Sequence, residues 1–170
     1  MPTDHLRRSL RLKGFDYSAA GGYFVTICTH NRRALFGEIR DEVMELSTLG
    51  KTVELCWEGL PARFPGVTLD TVVVMPNHFH AVVMLPWQLE GERHQNVAAT
   101  GGCPSLGFVV NHFKATVTRA AKFADPSVLP VWQPDFYDHV IRNEHDLRLI
   151  REDIQNNPVQ WTLDRENPNY

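Results

Sequence analysis

The sequence predicts an α+β fold, a sandwich of helices packed against an antiparallel sheet. Apolar residues switch between the strand period of two and the helix period of 3.6, in the order strand, helix, strand pair, helix, strand, helix. In the middle lies Thr71 to Leu85, TVVVMPNHFHAVVML, two β-rich runs joined at Pro76-Asn77. A chain of 170 residues, 43% apolar and 22% charged, matches one globular domain with enough apolar material for a core.

Residues 1–20 read as a polar basic arm carrying Arg7, Arg8, Arg11 and Lys13, and its closing FDYSAAGG is loop chemistry. Tyr23 to His30 (YFVTICTH) is β-branched and aromatic, hence a strand, with Asn31-Arg32-Arg33 opening the following turn. The short apolar pairs Leu35-Phe36 and Val43-Met44 suggest a weaker strand or hairpin arm between Ala34 and Leu46. Ser47 is an N-cap, because Leu49, Val53, Cys56, Trp57 and Leu60 then recur at helical spacing up to Pro61. Phe64-Pro65-Gly66 turns the chain into a strand from Thr68 to Met75. Pro86 to Pro104 loses all periodicity and reads as a surface loop. Ser105 caps a second helix with the apolar stripe Leu106, Val109, Val110, Phe113, Val117, Ala120 and Ala121. Lys114, Arg119 and Lys122 fall outside that stripe, and Asp125-Pro126 ends the helix. Extended pieces fill Val131 to Arg142. A last helix, Glu144 to about Asn156, buries Leu147, Ile150 and Ile154 and stops before Pro158.

No apolar run approaches a membrane span, and the start MPTDHLRRSLRLKG lacks the apolar core of a signal peptide, so a cytoplasmic location and no membrane partner are expected. Cys28, Cys56 and Cys103, without CxxC spacing, are expected as free thiols. A net charge of -3 argues against a generally basic nucleic-acid coat, yet the arm and the Lys114, Arg119, Lys122 group are local clusters of the kind a phosphate backbone feels. His78 and His80 stand two apart on a strand, so their imidazoles share a face and make half a metal site. Spacing alone leaves two readings open, a ligand pair or a pair of hydrogen-bonded histidines.

Four stretches decide between them. HFH after VVMPN, then SLGFVVNHFKATVTR, then VWQPDFYDHVIRNEHDLRLIREDIQNNPVQW, with RRSLRLKGFDYSAAGGYFVTICTHNRRALFGEI before them, together resemble the single-tyrosine HUH transposases, in the REP-associated branch related to small bacterial insertion-sequence transposases. The resemblance runs from about Arg7 to Trp161. It implies a ferredoxin-like domain whose central strand presents His78 and His80 to a divalent cation, Mg²⁺ or Mn²⁺. That ion acts as a Lewis acid on the scissile phosphate of single-stranded, hairpin-forming DNA. A third ligand is implied four residues after the nucleophilic tyrosine, where this chain has Asn157. The expected DNA contacts are Lys114, Arg119, Arg142, Arg11 and Lys13, with Asn143 beside Arg142 as the cap of a helix N-terminus that favours an anion. Members of the wider family work as a homodimer or monomer.

The informative departure is Asp153, which stands where the family has its tyrosine: IREDIQNNP here, IREYI-NNP there. Positions 153 and 157 share a helix face, so the geometry is retained while the chemistry changes. A phenolate can displace a 3′ hydroxyl and store the bond as phosphotyrosine; a carboxylate of pKa about 4 is a far better leaving group than the alkoxide it would expel. Three outcomes follow. Asp153 joins the metal ligands in a hydrolytic nuclease, or Tyr137 of FYDH takes over as nucleophile, or a non-catalytic, domesticated DNA-binding protein remains. The expected function is therefore a transposase-type protein that cleaves and rejoins DNA, with that activity lost or altered. Elsewhere, His139 and the other histidines read as structural, and Trp132 and Trp161 as core or lid aromatics.

Overall fold

The strand that carries the two histidines lies inside a four-stranded antiparallel sheet. In the computed structural model the described residues are 21–86, 104–164 and 166–167. β1 (Gly21–Cys28) and β5 (His78–Leu85) are the central strands, flanked by β4 (Thr68–Met75) and β6 (Tyr137–Ile141), in the order β4-β5-β1-β6. Central strands must hide both faces, and β5 (HFHAVVML) is buried or half-buried along its whole length. With α1 (Thr48–Glu58) between β1 and β4, and α3 (Leu106–Ala124) between β5 and β6, the connectivity is the βαββαβ of a ferredoxin-like sandwich.

The helices divide between the two faces. Tyr23, Val25 and Ile27 of β1 and Phe79, Ala81 and Val83 of β5 point to one side, where α1 and α3 cover them. Trp57 of α1, Phe79 and Phe113 of α3 form a mutual aromatic cluster there, with ring centroids 4.9 to 5.2 Å apart. The alternate residues Phe24, Val82 and Met84 face the other side and pack under α4 (Glu144–Asn156) through Leu147, Ile150 and Ile154. Arg151 of α4 adds a two-pronged ion pair to Asp70 of β4, at 2.8 and 2.6 Å.

Local caps set the helix limits. The Ser47 and Ser105 side chains accept from Gly50 N–H and Phe108 N–H, and that of Asn143 from Asp146 N–H. The first helix stops earlier than Pro61, at Glu58 with Gly59 as its C-cap, and Leu60 and Pro61 begin a short α2 (Leu60–Arg63), where a proline is tolerated in the first turn. The hairpin between Ala34 and Leu46 is real: β2 (Gly37–Arg40) pairs with β3 (Val43–Leu46) in a separate two-stranded sheet. Its turn residues Asp41 and Glu42 both have positive φ, 49° and 65°. The first strand is Gly21–Cys28 and stops short of His30, which begins a 3-10 turn. The basic arm with Arg11 and Lys13, and all but the ends of the 86–104 loop, lie outside the described residues.

Candidate metal centre

The two-residue period of β5 puts the His78 and His80 rings side by side, centroids 4.4 Å apart, on the α4 face of the sheet. Each ring is pinned through Nδ1. His78 Nδ1 lies 2.9 Å from Asn77 Oδ1, and His80 Nδ1 lies 2.8 Å from Thr26 Oγ1 on β1, directly across the ladder. The orientation of Asn77 is fixed, because its Nδ2 donates to the carbonyls of Arg32 and Glu166 at 3.3 and 2.6 Å. Its oxygen can therefore only accept, so His78 carries its proton on Nδ1 and presents a lone pair at Nε2.

What faces that lone pair is unusual. Asp164 Oδ2 is 3.5 Å from His78 Nε2, and the carboxylate is held by the Glu166 N–H on its other oxygen, at 2.7 Å. The Asn157 amide at the C-cap of α4 lies close enough to the His78 ring to favour its protonation, though without the geometry of a hydrogen bond. His78 Nε2 and Asn157 Oδ1 are both buried and, among the described residues, have no hydrogen-bond partner. An imidazole lone pair, a carboxylate oxygen and an amide oxygen thus converge with no donor among them. Buried acceptors left in this state are costly, and they lose that cost when a positive charge sits between them. A proton is not the natural filler. Burial pushes the pKa of each histidine down to about 3, with Arg32 also lowering His78 and the neighbouring His78 also lowering His80.

A metal cation fits the donor set. One ligand atom each of His78, His80 and Asp164 lie within 4.8 Å of one another, with Asn157 beside them. Two neutral imidazoles, one carboxylate and one amide oxygen form a mixed N/O set of the kind divalent ions accept. The sequence pointed to His78, His80 and Asn157, and the fold brings these three together. It missed Asp164. That residue follows the short 3-10 turn Trp161–Leu163, and the tail bearing it is fastened by the Asn77 bond to Glu166 and by an Arg32–Glu166 ion pair at 3.1 Å. Trp161 lies beside His78, its ring 6.0 Å from that imidazole, while Trp132 is a core residue against Phe36 and Phe113.

The other selected residues lie elsewhere. Asp153 is exposed on α4, outside the His78, His80 and Asp164 group. Tyr137 is partly exposed on β6 opposite Thr26, in the row Val73, His80, Thr26, Tyr137 that crosses the sheet on the histidine face. Lys114 donates to the carbonyls of Gln133 and Pro134 at 2.7 and 2.8 Å, so its ammonium ties down the loop after α3. Arg119 and Arg142 are exposed. The start of α4 already holds an anion of its own, since Asp146 accepts from Arg142 N–H and lies 3.1 Å from His139 Nε2. His139 is thereby tied to the helix start and stays apart from the metal group.

No family model matches the chain. Over 168 residues it is 40% identical to an uncharacterized protein of Haemophilus influenzae, covering 95% of this chain and 93% of that protein. It is also similar to the solved structure of a REP-associated tyrosine transposase bound to a REP hairpin, with a TM-score of 0.57 and 23% identity over 85% of this chain and 70% of that one. At that identity the likeness is one of fold. Among the described residues no helix is long and apolar enough to cross a membrane.

Proposed function

For a chain that belongs to one family with the Haemophilus influenzae protein and has the fold of the REP-associated tyrosine transposase, we propose a DNA-binding function centred on a divalent cation. In this reading His78, His80, Asp164 and Asn157 hold the ion, Mg²⁺ or Mn²⁺, and single-stranded DNA from a hairpin lies across the α4 face of the sheet. The observation that supports it is the pair of buried acceptors without a hydrogen-bond partner among the described residues, His78 Nε2 and Asn157 Oδ1, with the half-buried Asp164 Oδ2 3.5 Å from that imidazole nitrogen. A bound divalent ion would withdraw charge from the non-bridging oxygens of a phosphate. The protein's own part is to keep the imidazoles neutral by burial and to aim them through Asn77 and Thr26.

Strand transfer through α4 is lost in this proposal. Asp153 offers a carboxylate where the fold's nucleophile would stand, and an acyl phosphate formed there would revert or hydrolyse. Incubation of labelled hairpin DNA with protein and Mn²⁺ tests this. The expected outcome is salt-dependent binding with no denaturant-resistant protein–DNA adduct. An adduct mapped by mass spectrometry to Tyr137 would overturn the loss of transfer, and would be explained by the position of that tyrosine in the His80 row. Multiple-turnover cutting without an adduct would favour a hydrolytic nuclease, for which Asp164 supplies a carboxylate at the centre.

A further inference from the structure

A basic and aromatic patch lies on the other side of the sheet from the histidines, and the metal centre makes no use of it. Phe64, buried after α2, is its base. The Arg63 guanidinium sits over the Phe64 ring at 5.4 Å, His112 of α3 meets the same ring edge-on at 5.1 Å, and Phe108 does so at 5.8 Å. One α3 flank carries Phe108, His112 and Arg119, spaced four and seven residues apart. Arg63 and Arg119 both act on His112: after burial, their charges are what hold its pKa below the ordinary value. Among the described residues no carboxylate pairs with either guanidinium. Elsewhere among the described residues three arginines do find acids, Arg32 with Glu166, Arg40 with Glu38 and Arg151 with Asp70, while Arg33 and Arg148 bind carbonyls and a histidine instead.

Two unneutralised guanidiniums converging on one imidazole repel each other in a chain of net charge -3. An anion would relieve that repulsion. Phe108, 42% exposed at the rim, adds an apolar ring beside the charges, which free inorganic anions do not need and nucleotides do. From Phe108 to Arg119 is about 16 Å along the helix at 1.5 Å per residue, on the order of five nucleotide steps of 3.4 Å. We infer that Arg63, His112, Arg119 and Phe108 form a second nucleic-acid contact, which takes the phosphates and one base of a segment away from the strand at the metal centre. The inference rests on the DNA-binding reading above and extends it to the opposite face of the domain. A strand lying on one face thereby continues round the edge of the sheet to the other.

Fluorescence anisotropy of a labelled hairpin with single-stranded flanks, titrated with full-length protein in Mn²⁺ at several salt concentrations, tests it. The Arg63→Ala/Arg119→Ala variant is expected to bind about 10-fold more weakly at 0.1 M salt, with a plot of log K against log salt shallower by about two phosphate contacts. Arg63→Lys/Arg119→Lys should recover the salt slope, and Phe108→Ala should weaken binding without changing it. Mn²⁺ binding by the double alanine variant serves as the check on folding. Should that be lost, Arg119→Glu alone, at an exposed position of α3, carries the same test. Wild-type protein that binds the hairpin while the variants match it in Kd and slope overturns the second contact and leaves the first reading standing. Wild-type protein that binds no hairpin overturns both.

Discussion

His78 and His80 are neutral because they are buried, and that has a measurable pH signature. In the unfolded chain each takes up a proton as the pH falls below about 6.5; in the folded chain neither does until about 3. The unfolded state thus binds more protons across that window, so folding stability of the metal-free protein declines as the pH drops from about 6.5 toward 3 and is unaffected by these groups above it. Urea unfolding in EDTA between pH 7.5 and 4.5 checks this, and a flat profile would contradict it. The same neutrality makes metal affinity insensitive to mild acid. From pH 7.5 to 5.5 the two rings should cost the site little, whereas imidazoles of ordinary pKa would each lose about tenfold. The hydroxyl of Thr26 is a positioning group for His80, and Thr26→Val is expected to weaken Mn²⁺ binding by about 10-fold with the fold intact.

The helix that brings Asn157 to the histidines is α4, and its seating couples stability to the site. Ile154, fully packed against Val82, lies three residues before the amide. Ile154→Ala should cost about 2–4 kcal/mol in unfolding experiments and weaken Mn²⁺ binding as well. Arg151 holds the Asp70 carboxyl well below the usual carboxylate range, mainly through their hydrogen bonds. Arg151→Ala is expected to lower stability at neutral pH by the small amount typical of a solvent-screened pair. That contribution is present above the unfolded carboxyl pKa of about 4 and fades as the pH falls below it, so the gap between variant and wild type should close in acid. Elements such as this were legible in the sequence because their signals are local. Ser47, Ser105 and Asn143 cap with their own side chains. The β2–β3 hairpin was faint since Asp41-Glu42 does not announce a turn that needs positive φ at both positions. Lys114 looked like a free surface cation, yet its chain reaches back to carbonyls that have no strand to pair with.

Across the whole chain, what escaped the sequence is what only the tertiary path decides. His78 and His80 could be paired from a two-residue spacing, and Asn157 came only from the family resemblance. Asp164 sits in an irregular tail, 84 residues after His80, and reaches the centre through bonds from Asn77, Arg32 and the backbone of Glu166. No periodicity marks such a residue. The same path leaves Asp153 exposed on α4 one turn before Asn157, and Asp153→Tyr is expected to create a denaturant-resistant adduct with hairpin DNA in Mn²⁺, detected by a gel shift under denaturing conditions. All of this depends on one cation being held where those acceptors meet. Calorimetric titration of the metal-free full chain with Mn²⁺ at pH 7.5 measures that directly. One ion should bind per chain, with binding abolished in His78→Ala and weakened at least about 10-fold in Asp164→Asn; an absence of binding, or binding indifferent to both substitutions, would show that no metal centre exists there.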